Sequence, residues 1–194
     1  VSITGDDTRV SEAGATDTLS VVLLRQPSSE VVISVTSSDP SEATVDKATL
    51  TYTPNNWGTP QTVQVTGVDD QTVDGDRTTQ ITFSIDDAAS HDAWGELSDQ
   101  SVSVTNQDND TAGFSLSRTA IAVSESGTAD TFTVVLTARP LTEVVLDVHS
   151  GNTDEMIADS AQLTFTPGDW NIPQVVTVSG VDDTPAVADG DQVV

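Results

Sequence analysis

Apolar and polar residues alternate with a period of two through most of this chain. Leu19, Val21 and Leu23 share one side of an extended segment, as do Val31, Ile33 and Val35, then Val63 and Val65, then Ile81, Phe83 and Ile85, then Val102 and Val104. Short alternating runs rich in Val, Thr and Ser mark half-buried antiparallel strands, and no segment carries the stripe of an amphipathic helix. The pattern predicts strands near 1–4 with 8–11, 17–25, 30–37, 48–53, 61–66, 78–86 and 100–105. It predicts them again near 114–123, 130–138, 143–149, 161–166 and 174–179, with a further start near 191. About seven short strands per unit, separated by turn residues, predict an all-β protein of tandem immunoglobulin-like antiparallel β-sandwich domains.

The doubling can be read directly. Val10-Ser11-Glu12 returns as Val123-Ser124-Glu125, and Leu50-Thr51-Tyr52-Thr53-Pro54 as Leu163-Thr164-Phe165-Thr166-Pro167. Gly67-Val68-Asp69-Asp70 returns as Gly180-Val181-Asp182-Asp183, at the same offset of 113 and without a gap. A repeat of domain size means a tandem array. Residues 1–113 are expected to form one complete repeat, ending in a short acidic linker at 106–113. Residues 114–194 are expected to form a second, C-terminally incomplete repeat, because nothing in it matches 80–113. The chain reads as a segment of a longer array.

Charge narrows the function. Thirty-one acidic residues against 6 basic ones give a net charge of −25. A nucleic-acid binder needs a basic face, so no nucleic acid is expected as partner, and an anionic membrane surface is disfavoured for the same reason. No apolar run approaches the length of a membrane span, so no direct membrane insertion is expected. There is no cysteine, which removes disulfides and thiolate metal sites. So many carboxylates on regularly patterned strands call for counter-charge, and divalent cations supply it.

The recurring acids are unevenly placed. Glu12 and Glu125 precede a glycine after the first strand; Asp69-Asp70 and Asp182-Asp183 follow a strand ending in Gly-Val. Asp74-Gly75-Asp76 and Asp189-Gly190-Asp191 lie just beyond, and Asp108 and Asp110 close the first repeat. In a sandwich the ends of alternate strands gather at one pole, so the turn after 61–66, the exit of 100–105 and the turn holding Asp39 should meet there. Calcium takes 6–8 oxygen ligands at flexible geometry and suits such loops better than magnesium. His91 and His149 are not repeat equivalents, which argues against zinc. Aspartate is also an ordinary turn former, and that plainer reading stands beside the metal one. The aromatic pairs Tyr52 with Trp57 and Phe165 with Trp170 read as core plugs at a sandwich edge, with a carbohydrate platform as the sharper alternative.

Val10-Ser11-Glu12-x-Gly14, the Asp39 turn, Val68-Asp69-Asp70 with Asp74 and Asp76, and Val104 to Asp110 follow one another as in the Calx-β motif, which this chain resembles. Leu163-Thr164-Phe165-Thr166-Pro167, Trp170, Pro173-Gln174 and Gly180-Val181-Asp182-Asp183 are similar to phrases in the cadherin-like repeats of large bacterial surface adhesins. The resemblance implies a seven-stranded Calx-β-like sandwich with calcium (Ca2+) at one pole, near the link to the next domain. It implies ligands at Glu12, Asp39, Asp69, Asp70, Asp74, Asp76, Asp108 and Asp110 in the first repeat. In the second it implies Glu125, Asp182, Asp183, Asp189 and Asp191. Asn152 stands where the first repeat has Asp39, with Asp154 close by, and the closing pair has no second copy.

Neither a nucleophile elbow, a P-loop nor a paired His-Glu motif is present, and 4% aromatic residues offer little to stack a sugar in a glycosidase cleft. No enzyme is expected. The leading expectation is a calcium-binding extender repeat of an extracellular, bacterial cell-surface adhesion protein. Its partners would be calcium ions and neighbouring repeats of the same chain, in a monomeric rod segment stiffened at its joints. The alternatives are an adhesive module that binds a glycan or protein, which requires an apolar patch on one repeat only, and a calcium-sensing Calx-β domain. The Asn109-Asp110-Thr111 sequon is discounted, because a sugar there would crowd the ion.

Overall fold

A computed structural model describes residues 1–5, 7–90, 94–95, 97–182 and 192–193. Among them there is no helix, and the chain divides into two compact units, Val1–Asp70 with Asp74–Asn109 and Gln71–Val73 with Asp110–Val194.

The first unit holds nine strands: β1 (Ser2–Thr4), β2 (Thr8–Ser11), β3 (Thr16–Val22), β4 (Val31–Ser37), β5 (Ala43–Val45), β6 (Thr49–Tyr52), β7 (Gln61–Gly67), β8 (Arg77–Ile85) and β9 (Gln100–Gln107). One sheet runs β1-β3-β7-β5 and the other β2-β9-β8-β4-β6. The two alternating inner faces close on each other: Leu19, Val21, Val63 and Val65 from one sheet and Ile33, Leu50, Ile81 and Val104 from the other are all at most 1% exposed. Burial alternates along β6 and β7 as the sequence pattern requires. Two features differ from expectation. A three-residue strand, β5, escapes a pattern reading because it is too short to show alternation. The β2–β9 pairing is parallel, Thr8 opposite Val104 and Ser11 opposite Gln107, within an otherwise antiparallel sandwich.

The second unit repeats this order: β10 (Phe114–Leu116), β11 (Ala122–Val123), β12 (Ala129–Leu136), β13 (Val144–Asp147), β14 (Met156–Ala158), β15 (Gln162–Phe165), β16 (Gln174–Gly180) and β17 (Gln192–Val193). The sheet β10-β12-β16-β14 copies β1-β3-β7-β5 strand for strand. The opposite layer consists, among the described residues, of two separate pairs, β13-β15 and β11-β17. Its core gathers Ile121, Val123, Val134, Leu163, Phe165 and Val176, with Phe132, Leu146 and Val148 only partly buried against them.

The aromatic plugs are core residues. Tyr52 and Phe165 are wholly buried, and Trp57 and Trp170 each pack against the core of their own unit. Their backbones repeat one contact, Leu23 N–H to Trp57 O and Leu136 N–H to Trp170 O. Trp94, which has no counterpart in the second repeat, packs on the first core.

Candidate metal site

Two glycines shape the pole at which β2, β7 and β9 end. Gly14 adopts φ +88°, and its N–H closes a turn on Ser11 O at 2.9 Å, so β2 stops at Ser11 and presents Glu12. Gly127 repeats that turn with φ +78°. A Cβ on Gly67 would stand 2.5 Å from both Ser11 O and Asn106 Oδ1; Gly180 lies just as tightly against Ser124 O. The glycine of each Gly-Val-Asp-Asp phrase therefore lets the end of one sheet approach the strand that carries the glutamate.

Glu12 is 5% exposed and is fixed by its backbone, whose N–H donates to Gln107 O at 3.1 Å. Its Oε2 accepts from Asn109 N–H at 3.2 Å. The chain leaving β9 thus curls around it. One carboxylate oxygen from each of Glu12, Asp108 and Asp110 lies within 4.8 Å of the others, and Asp108 and Asp110 are partly buried. Unit negative charges about 4 Å apart repel by on the order of 4 kcal/mol at the effective dielectric of a protein surface. A hard cation bound by oxygen ligands converts that repulsion into attraction. The donor set is all carboxylate, which suits calcium or magnesium and not a soft metal.

Of the other predicted acids of the first repeat, Asp69 and Asp76 are tied to the segment that carries this cluster, and none is one of the three clustered carboxylates. Asp69 is exposed and its Oδ1 accepts from Asn109 Nδ2 at 3.2 Å; Asp70 beside it is also exposed. Asp76 Oδ1 accepts from Asp108 N–H at 3.2 Å, and Asp108 Oδ2 from Gly75 N–H at 2.7 Å, so the Asp-Gly-Asp loop and the exit of β9 hold each other. Asp74 is partly buried and meets Arg77 Nε at 3.4 Å. Asp39 is exposed and turned to its own loop: hydrogen bonds from the Ser41 hydroxyl and N–H, at 2.5 and 3.1 Å, draw its carboxyl below the ordinary value. Asn106 and Gln107, expected in the linker, belong to β9, and Asn106 is 1% exposed.

Sequence reasoning missed Glu42. It is 9% exposed, its Oε1 lies 3.8 Å from Arg77 Nε, and its Oε2 accepts from Asn106 Nδ2 at 3.3 Å. Asn106 Nδ2 also reaches Val68 O at 3.0 Å. Arg77 thus serves as a cation for both Glu42 and Asp74. The missed signal was recurrence, since Glu42 returns as Glu155.

In the second unit Glu125 is partly buried and Asp182 exposed. Asp183, Asp189 and Asp191 lie outside the described residues, as does His91. Asn152 takes the place of Asp39 by accepting from Asp154 N–H through Oδ1 at 3.2 Å.

No family model matches the chain. No curated protein matches it either. Among solved structures it is similar to the calcium binding domain CBD12 of CALX1.1, at 16% identity and a TM-score of 0.39 over 92% of this chain and 74% of that one. It is also similar to the E. coli chaperone DraB, at 7% identity and a TM-score of 0.42 over 94% and 86%. A third likeness, to the MSP-domain protein SSP-19 of Caenorhabditis elegans, has 16% identity and a TM-score of 0.35 over 52% and 92%.

Proposed function

We propose that this chain is a pair of calcium-binding extender repeats from a large extracellular adhesion protein of a bacterial surface, with calcium stiffening the joint and no catalytic role. The observation that supports this reading most is the convergence of Glu12, Asp108 and Asp110 to within 4.8 Å. Two of the three acids follow β9, where the chain leaves the first repeat. An ion held there fastens residues 108–110 to the end of β2, and the segment loses its freedom. Without the ion the acids repel and the segment swings. Asp69, Asp70 and Asp76 supply further oxygens within the same loops, through side-chain shifts or bridging water.

The test compares the intact chain in chelator and in millimolar calcium. Calcium is expected to raise the melting midpoint and to narrow the spread of sizes seen by small-angle scattering. Asp108→Asn with Asp110→Asn removes both responses while leaving the β-sheet circular dichroism unchanged. A midpoint and a scattering curve indifferent to calcium would end this reading.

A further inference from the structure

Two groups of acids gather around the end of β9. Glu12, Asp108 and Asp110 bring one oxygen each to within 4.8 Å of the others. Glu42 and Asp74 instead meet on a side chain: Arg77 Nε lies 3.4 Å from Asp74 Oδ2 and 3.8 Å from Glu42 Oε1. Arg77 opens β8 directly opposite Asn106 of β9, so the pairing of these strands places the guanidinium.

Burial separates this second group from ordinary surface ion pairs. The Glu42 and Asp74 side chains are 12% and 14% exposed, against 53% for Arg77. Asp74 Oδ1 is buried without a hydrogen-bond partner. Glu42 Oε2 accepts from Nδ2 of Asn106, itself 1% exposed, at 3.3 Å. The Glu42 backbone is also fixed, since its carbonyl accepts from Val68 N–H at 3.0 Å. Two carboxylates on one nitrogen and largely shut off from water require a cation in contact, because each loses hydration and repels the other. A divalent ion with oxygen ligands would serve. The guanidinium serves in its place, and being tethered to β8 it does not dissociate.

We propose that Arg77 is a built-in counter-ion that closes the Glu42–Asp74 half of this pole to calcium and so limits the number of ions the first unit takes. The inference rests on the reading of Glu12, Asp108 and Asp110 as a calcium site. It removes Asp74 from the calcium ligands that the resemblance implies and gives it, with Glu42, a partner within the protein. The residue at position 77 thereby sets the ion count. A neutral side chain there opens a second cation position, and a lysine keeps it shut.

The test uses the whole chain. Calcium bound per chain is counted by equilibrium dialysis with atomic absorption, and affinity is measured by calorimetry. Arg77→Met should bind one more calcium than the wild type, and Arg77→Lys the same number as the wild type. Adding Glu42→Gln to Arg77→Met should abolish the extra ion. Glu42→Gln alone, which keeps the arginine, should leave the count unchanged and shift the calcium dissociation constant by less than tenfold. An Arg77→Met chain with the wild-type count would overturn the proposal. Should Arg77→Met fail to fold, Glu42→Gln decides alone: a tenfold or greater loss of affinity would make Glu42 a calcium ligand and overturn it. A wild-type chain that binds no calcium would instead end the reading of the Glu12 cluster, and this inference with it.

Discussion

The two units begin from nearly the same text and differ most where one sheet layer is concerned. The layer β1-β3-β7-β5 has a full copy in β10-β12-β16-β14, with Leu19 opposite Val63 in one and Phe132 opposite Val176 in the other. The facing layer has five strands in the first unit and, among the described residues, two separate pairs in the second. Leu50 and Leu163 are buried alike, at 1% and 5%, on β6 and β15, whose bonded neighbour, β4 or β13, is present in both units. Ile33 and Leu146, each directly opposite one of those leucines, are not. Burial is thus decided by which strands lie alongside and not by the residue or its immediate partner. The same alternation is wholly buried in one copy and, among the described residues, half-buried in the other.

The largest expected effect tests this difference. Ile33→Ala removes a wholly buried side chain and should destabilise the first unit by about 2–5 kcal/mol, the usual range for emptying a core position. Leu146→Ala, at the equivalent position, starts from a partly solvated side chain and leaves no closed cavity. It should cost the second unit less than half as much. Urea unfolding followed by residue-resolved amide exchange separates the two units. Equal losses would mean that Leu146 is packed as fully in solution as Ile33.

Calcium should divide the units next. The three clustered carboxylates involve Glu12 and the exit of β9. At a calcium concentration a hundred times the dissociation constant, mass action stabilises a one-site domain by about 2.7 kcal/mol. For a domain of about 100 residues that is a rise of ten degrees or more. The rise should be larger in the unfolding transition of the first unit, which holds Glu12 and Asp108, than in that of the second. A calorimetric scan in which both transitions move together would place the ion elsewhere.

A smaller difference lies in the plugs. Tyr52 donates its hydroxyl to Val21 O at 2.5 Å within the core, whereas the second unit has Phe165 at that place. Tyr52→Phe makes the first plug like the second and should cost about 1 kcal/mol, the net worth of one buried hydrogen bond. The reciprocal Phe165→Tyr offers a hydroxyl toward Val134, the equivalent of Val21. It should recover stability only if that carbonyl is within reach. A destabilised Phe165→Tyr would show that the two plugs differ in seating as well as in chemistry.

These contrasts mark what the sequence could and could not disclose. The strand runs, the sandwich class and the core sides of β3, β4 and β7 follow from alternation, because burying one face of a sheet imposes a period of two. β5 and β14 did not follow, since three residues cannot display a period. The parallel β2–β9 pairing did not follow either, because it joins residues about a hundred positions apart, and strand neighbours at that distance leave no local mark. At the pole, the place of Asp108 and Asp110 at the exit of β9 was expected from the topology of strand ends, whereas Glu12 beside them was implied only by the resemblance to the Calx-β motif. The inward turn of Glu42 toward Arg77 and Asn106 was not expected, because a lone glutamate in a turn reads as solvated surface.

The smallest effect concerns a single atom exchanged between the copies. In the loop after β6, Asn56 Oδ1 accepts from Thr53 N–H at 2.6 Å and from its hydroxyl at 3.1 Å. In the loop after β15, Asp169 Oδ1 accepts from Thr166 N–H at 2.5 Å and from its hydroxyl at 2.8 Å. The geometry is common to both, but only the second acceptor titrates. The Thr166 N–H draws the Asp169 carboxyl below its ordinary value, and the Thr166 hydroxyl adds to this. A folded-state value below the unfolded one means stability that is present in full above about pH 4, where the unfolded aspartate is already ionised. That contribution is lost as pH falls through the folded value. Asp169→Asn keeps the accepting oxygen and removes the titration. The midpoint of the second unit should therefore fall less steeply in Asp169→Asn than in the wild type as the pH goes from 5 to 2. The converse change, Asn56→Asp, should give the first unit an acid sensitivity at this loop that it otherwise lacks. Parallel midpoint curves for wild type and Asp169→Asn would show that the bond to Thr166 is not maintained in solution, and the loops would then differ in conformation and not only in charge.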